Sequence, residues 1–406
     1  MSWPSCRPKP ARCLRASTSA RRITRLWCEA LTALRRYLFS MRFITSVAML
    51  TGLVVSTGAP GYRILVASES GDIVTELTWD GTALAVAKVV PVGIMPADID
   101  GPHNVAVAPD GSAWYVTIAH GTPYGSLWKM SAGTDSLLGR APVEMFPTTI
   151  ALTPDGALAF VANSDFHGDH PRVNVVTIVQ TASMTPLTNL PACDMPHGVK
   201  VNHAGTFVYV SCMNSDEILE IDRQSLRITR RHKTAEQPGG HAAMSGAAGP
   251  PIHGTGPAPA AHDCMPTFVS VSPDDRRLYV ACNHGNTLQV IDAASLELVR
   301  EVPVGTGAYN VEPSADGRWI IVTNKKAQSV SLVDPQSLTE VAKVPTTKSL
   351  PHGIAYSPDG RWAFISQESV GIDPGAVDVI DLTTHARVAT IPVPRQPTGI
   401  TILRAP

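Results

Sequence analysis

From about residue 61 onward the apolar positions come in short bursts, β-branched and aromatic, each closed by Gly, Pro, Asp or Asn. AWYVTIA, LAFVANS, FVYVSCM, RLYVACN, WIIVTNK and WAFISQE are the clearest. Runs of this length bounded by turn residues predict strands, and no capped segment with helical apolar spacing lies between them. A second run in each repeat ends near an acid (EILEID, TLQVID, SVSLVD, AVDVID), and a third, such as ELVREVPV or ARVATIPV, completes it.

The bursts are periodic. A turn of the PDG type follows a short Pro-led motif at a constant offset of eight: Pro102 with Asp110, Pro147 with Asp155, Pro196 with Ala204, Pro266 with Asp274, Ala308 with Asp316 and Pro351 with Asp359. Successive starts lie 42 to 49 residues apart, except for 70 between Pro196 and Pro266. Four short strands at that period are the mark of a propeller blade. Six repeats are whole. The seventh is split, with QPTGITIL from Gln396 as an innermost strand and YRILVAS, IVTELTW and ALAVAKVV near residue 61 as its partners. Sharing a blade between the chain ends removes two open sheet edges. The expected fold is therefore all-β: a seven-bladed β-propeller of four-stranded blades with a split closing blade, covering 61–406, with no boundary for a second domain.

The 406 residues are 44% hydrophobic and 17% charged, which excludes disorder as the main state. Ten of the 33 Lys and Arg fall in the first 42 residues against the single acid Glu29, leaving 23 basic and 33 acidic residues beyond them. An acidic body repels phosphate backbones, so no nucleic-acid partner is expected. Residues 1–40 read as a basic extension or a mis-set start. Residues 41–60, opening at Met41 with one Arg and an apolar stretch ending in small residues, read as a signal peptide. A periplasmic or secreted protein with no integral membrane span in its mature form is the expectation, and a monomer.

The strings MPTFVSVSPDDRRLYVACNHGNTLQVIDAASLELVREVPVG and LPHGIAYSPDGRWAFISQESVGIDPGAVDVIDLTTHARVATIPV resemble the YVTN, or YncE-like, β-propeller repeat, and the resemblance covers nearly all of residues 61–403. It implies the fold more than an activity. Related propellers include proteins without known chemistry, lactonases, haem d1 domains and copper oxidoreductases of the nitrous-oxide-reductase and thiocyanate-dehydrogenase kind, and a fold does not settle a function.

Antiparallel alternation puts strand-one starts, strand-two ends and the links between blades on one face. The residue after each repeat's leading Pro or Ala is His103, Thr148, His197, Thr267, Tyr309, His352 and Thr398. His103, His197 and His352 are the candidate metal ligands, since neutral imidazole suits copper and zinc. The same residues would equally serve as hydrogen-bonding struts between loops. The long spacing before Pro266 holds an insertion, 236–264, on the same face, with His241, His253 and His262 as possible lid ligands beside Met244 and Met265. A plain Gly/Ala/Pro surface loop is the alternative. Strand-two ends add His120, Asn163, Asp165, His167, Asn214, His284, Lys325 and Glu368. Of these, Lys325 and Glu368 are the candidate catalytic pair for orienting substrate or moving protons, against a solvated rim. His203, His232 and His385 fall elsewhere, with no expected role.

Cys193 with Cys212, and Cys264 with Cys282, each bracket one strand hairpin, so two disulfides are expected in an exported chain. Thiolate ligation beside the histidines, or a nucleophilic Cys282–His284 pair, is the alternative. No CxxCH, P-loop or GxGxxG context occurs, so neither c-type haem nor a nucleotide is expected. The leading functional expectation is a His-lined mouth binding a transition metal, copper foremost, and supporting redox chemistry. Thr or Tyr at four ring positions argues against a multi-copper cluster. A non-catalytic propeller binding a small molecule or peptide on that face, and a lactonase-like hydrolase, are the alternatives.

Overall fold

The computed structural model describes residues 62–94, 99–119, 125–164, 173–235 and 264–404. The expected basic extension, the signal segment and His120, Asp165, His167, His241, Met244, His253 and His262 lie outside the described residues. Those described form seven four-stranded antiparallel sheets and one three-residue 3-10 turn, Glu69–Gly71. Among them no helix is long and apolar enough to cross a membrane.

Each sheet is one blade. The first runs outward from Pro102–Val107 through Ala113–Ile118 and Ser126–Ser131 to Leu137–Pro142. The next five have inner strands Pro147–Leu152, Pro196–Val201, Pro266–Val271, Ala308–Pro313 and Pro351–Tyr356. The seventh is split as expected, with Pro397–Arg404 innermost and Tyr62–Ser68, Ile73–Trp79 and Leu84–Pro91 outside it. Ile64 pairs with Ile402, Leu65 with Thr401 and Val66 with Ile400. The first and last described strands thus meet in one hydrogen-bonded ladder.

The core lies between blades rather than within one. Leu65, Val74 and Leu403 of the closing blade pack on Val105, Trp114 and Trp128 of the first, and Tyr209 and Ile218 of the third pack on Val269, Leu278 and Val280 of the fourth. Both faces of a middle strand are therefore covered: Ala113–Ile118 is buried along its whole length, whereas the outermost Leu298–Pro303 buries one residue. Each large side chain so buried contributes about 1.5–3 kcal/mol.

One backbone device recurs in every blade and aims the inner strands at the axis. The residue before each inner strand (Gly101, Phe146, Met195, Met265, Gly307, Leu350 and Gln396) has φ between 47° and 72°. Its carbonyl accepts the N–H of the residue that follows the second strand: Ala119, Ser164, Met213, Asn283, Lys325, Glu368 and Glu69 respectively, at 2.8–3.1 Å. Five of the seven are not glycine and bear roughly 1–2 kcal/mol of left-handed strain each, which the clamp and the packing hold in place. At the opposite face Asp110, Asp155, Asp274, Asp316 and Asp359 accept the N–H two residues on, at 3.0–3.2 Å, and close the PDG-type turns.

Cys193–Cys212 and Cys264–Cys282 are disulfides, with Cα atoms 5.8 and 4.5 Å apart, and both sit on the clamped face. With the sulfurs bonded to each other, thiolate ligation and a Cys282 nucleophile are excluded. Replacing Cys193 and Cys212 together by Ser should lower stability by about 3 kcal/mol, read from urea melts. Deleting Pro397–Arg404 should abolish the cooperative thermal transition, because the deletion opens the ring; a truncated chain that melts like the full one would contradict closure through this blade.

Candidate functional site

On the clamped face the second residues of the inner strands form a belt around the axis. Thr398 Oγ1 donates to the His103 carbonyl at 2.6 Å, His103 Nδ1 to the Thr148 carbonyl at 2.7 Å, Thr148 Oγ1 to the His197 carbonyl at 3.0 Å and His197 Nδ1 to the Thr267 carbonyl at 2.8 Å. Thr267 Oγ1 continues to the Tyr309 carbonyl. His103 and His197 thus do a threonine's work with Nδ1–H and keep Nε2 as a lone-pair donor.

The belt then changes partners. Tyr309 turns its hydroxyl back to His197 Nε2 at 3.1 Å, and the carbonyl of His352 is taken by Thr323 Oγ1 at 3.2 Å. The carbonyl that would receive His352, that of Thr398, accepts Ser366 Oγ at 2.5 Å. His352 is only 1% exposed, yet neither ring nitrogen has a hydrogen-bond partner. An unpaired buried polar group costs about 1–3 kcal/mol, so this residue is not explained by packing.

The three imidazoles meet as the sequence pattern anticipated. The His103 centroid lies 5.5 Å from that of His352 and 6.4 Å from that of His197, with the Tyr309 ring 4.8 Å from His352 and 5.6 Å from His197. Phe146 packs on His103, and Phe268 packs on both His197 and His352. Lys325 and Glu368 are at the same place: Lys325 Nζ is 2.5 Å from Glu368 Oε1 and 3.6 Å above the Tyr309 ring, and Glu368 Oε1 is 3.7 Å from His352 Nε2. Glu69 completes the set, its Oε2 3.9 Å from His103 Nε2. Sequence reasoning missed Glu69, although it follows the second strand of the closing blade just as Glu368 follows that of the sixth. Applying the repeat to the split blade would have found it.

Burial controls the charges. It pulls His197 down to about 3, with the neighbouring His103 and Lys325 acting the same way against the Thr267 carbonyl. His352 is driven well below the ordinary imidazole range by burial, then by Lys325 and the other two histidines. Burial raises Tyr309 to about 12, with Lys325 opposing and Glu368 adding to the rise. Burial also disfavours the Lys325 ammonium, but Tyr309 and Glu368 outweigh it and its pKa is raised. At neutral pH the site therefore holds neutral His197 and His352, neutral Tyr309 and a cationic Lys325.

Among the described residues no group of three or more His, Cys, Asp or Glu side chains is placed to hold a metal ion. One centroid separation alone matches a ligating pair. A nitrogen-to-metal bond near 2 Å places two ligating imidazole centroids about 5.5 Å apart, which is the His103–His352 separation; His197 would have to move in and release the Tyr309 hydroxyl.

The other candidates serve structure. Asn163 is a buried amide donating to Val161, Val175 and Thr177 within its own blade. The N–H of His284 donates to the Cys264 carbonyl, and Met265 supplies one of the left-handed residues. His203 bonds Asp275 across two neighbouring turns at 2.8 Å, a link between blades three and four.

Fold and site together define a seven-bladed β-propeller with a buried imidazole cluster on its axis. It shows distant similarity to the cytochrome d1 haem domain and to NirF and NirN. Residues 267–361 match the Cytochrome D1 heme domain, a stretch that contains Phe268, Tyr309, Lys325 and His352 but neither His103 nor His197. Protein NirF of Pseudomonas aeruginosa is 30% identical over 95 residues, 23% of this chain and 24% of NirF, so the match spans about a quarter of that relative's length. Among solved structures, the periplasmic gluconolactonase PpgL of Pseudomonas aeruginosa aligns with a TM-score of 0.67 at 18% identity, over 85% of this chain and 99% of that one. The dihydro-heme d1 dehydrogenase NirN in complex with DHE aligns with a TM-score of 0.54 at 15% identity, over 85% and 76%. These likenesses establish the fold; the narrower YVTN assignment is not established by them.

Because folded His197 and His352 resist a proton that the unfolded chain takes up near pH 6.5, their contribution to stability is whole above that pH and is lost as pH falls. For His197 the loss runs down to about pH 3, at about 1.4 kcal/mol per pH unit. Thr at position 197 preserves the belt bond, so His197→Thr should flatten the acid limb of a stability profile measured between pH 6.5 and 4. An unchanged slope would refute the buried neutral imidazole.

Proposed function

We propose that this chain is an exported propeller whose axial cluster binds one transition-metal ion, copper foremost, through His103, His197 and His352. The observation that supports it is the unsatisfied His352, buried beside two histidines whose Nδ1 atoms are anchored on carbonyls; Nε2 of His103 faces the Glu69 carboxylate, and Nε2 of His197 carries the Tyr309 hydroxyl, which an ion would displace. An ion would provide His352 with the partner that the protein withholds. The metal would supply Lewis-acid or one-electron chemistry when bound. Lys325 then holds the Glu368 carboxylate within reach of His352, where the pair balances charge, orients a substrate or passes a proton; Glu69 does the same beside His103. The two disulfides and the apolar segment after Met41 support export to the periplasm or the medium.

The similarity to haem d1 domains raises the question of a macrocycle. The cluster does not fit one. Its rings interlock edge to face at 4.8–6.4 Å, whereas a planar group seated between two neighbours needs about 7 Å, and the three histidines are 1–5% exposed. A single ion requires only modest ring rotation. Nothing in the site specifically favours the hydrolysis of lactones or the docking of a peptide.

Elemental analysis of purified protein after copper loading and dialysis should find about one equivalent in the parent. It should find none in a variant with Thr at 103, 197 and 352, which keeps belt bonding at each position. Equal copper in both would overturn the reading. Tyr309→Phe frees His197 Nε2 and should tighten copper binding about fivefold, the worth of one competing hydrogen bond. Because His197 and His352 are neutral above pH 6, calorimetric titration at pH 7 in buffers of different ionisation enthalpy should show no proton released from either. Added haemin should give no Soret shift.

A further inference from the structure

The histidine cluster closes one end of the axial channel, and a cavity of ≈ 760 Å³ lies beneath it. Its wall next to the cluster includes Asn104, Thr149, Phe268 and Asn310, and it runs down to the exposed turn residues Pro358 and Asp359 on the opposite face. Asn104 directly follows His103 and Asn310 directly follows Tyr309. Asn310 is only 7% exposed and its backbone N–H donates to Thr323 Oγ1, yet among the described residues its carboxamide has no hydrogen-bond partner, and neither has that of Asn104. Two carboxamides on opposite sides of a channel, both lining a cavity and both unsatisfied by protein, are the polar groups of a binding site rather than of a core.

Deeper in the channel Lys200 Nζ meets Glu312 Oε1 at 2.5 Å, and Ser270 Oγ donates to Glu312 Oε2 at 2.8 Å. This pair reaches from blade three to blade five past the inner strand of blade four. It is internally neutral, so the middle of the channel attracts neither anion nor cation strongly. Lys200 still has N–H groups to give, each carboxamide offers two donors and an acceptor, and hydroxyl groups, which donate and accept at once, satisfy all of them. The volume falls within the range of small-ligand pockets.

We infer that the channel is a second ligand site, for an uncharged polyhydroxylated molecule of monosaccharide to disaccharide size, entered from the turn face. The site does not depend on a metal at the cluster. Ligand-observed saturation-transfer NMR on the full chain, without added copper, tests it with D-glucose, maltose and D-gluconate as probes. Glucose or maltose should receive saturation, and gluconate should bind at least tenfold more weakly. Asn310→Ala and Asn104→Ala should each weaken the sugar at least fivefold, with thermal melts checking that each variant folds; Asn104→Ala alone decides if Asn310→Ala does not. No transfer to either neutral sugar, unaltered affinity in the folded variants, or gluconate binding as tightly as glucose would overturn the proposal. A failure of copper binding would bear only on the preceding reading.

Discussion

The belt of side chain to carbonyl hydrogen bonds around the axis is the contact on which the arrangement of the site depends. Seven sheets that touch mainly through apolar faces have no intrinsic register along the axis, because hydrophobic burial is non-directional. The bonds from Thr398 to His103, His103 to Thr148, Thr148 to His197 and His197 to Thr267 supply that register one blade at a time. The bond from Thr398 is made by the last strand of the chain to the first complete blade, so ring closure and site assembly are one event. The left-handed residue before each inner strand serves the same end by bringing the strand start over the axis.

That constraint explains why histidine and threonine alternate so freely at the ring. Both place one donor at a similar reach from the backbone. They differ in what is left over: a threonine hydroxyl spent on a carbonyl has no further donor, whereas an imidazole keeps a second nitrogen. His103 and His197 are therefore structural while each keeps a second ring nitrogen, beside Glu69 for His103 and under the Tyr309 hydroxyl for His197, so a role as strut does not by itself rule out one as ligand. Only His352 separates the roles: its ring bonds no carbonyl, although the matching Thr267 carbonyl accepts both Ser211 Oγ and His197 Nδ1.

Much of this was legible in the sequence. The offset of eight between Pro102 and Asp110 and its five counterparts carried blade number, strand order and the split closure, because repeats average out the ambiguity of any single strand. The same alternation placed Cys193 and Cys212 at one end of one blade, and it brought Lys325 and Glu368 to the histidines. What it could not carry was side-chain choice between partners: that His352 leaves the Thr398 carbonyl to Ser366, that the Tyr309 hydroxyl covers His197 Nε2, or that Asn163 turns inward to its own blade. These depend on rotamers and distances of a few tenths of an ångström, to which periodicity is blind. Glu69 was legible and overlooked, because the split blade interrupts the pattern a reader follows.

The electrostatics of the cluster make a coherent device. Burial leaves His197 and His352 with weak basicity and by itself would incline Lys325 to lose its proton, but Lys325 is held charged by Glu368 and by the face of Tyr309, the ring beneath its ammonium. That fixed positive charge lowers the proton affinity of His197 and His352 further. A proton and a metal ion compete for the same lone pair, and a cation at this distance repels both, yet Glu368 at 3.7 Å from His352 Nε2 and Glu69 at 3.9 Å from His103 Nε2 stand within reach of the imidazoles, where an arriving ion would be counterbalanced. The proton is refused at His197 and His352 chiefly because burial penalises each imidazolium separately, with Lys325 adding to the penalty. The pocket is thus built to keep two neutral imidazoles beside a fixed ammonium and its carboxylate.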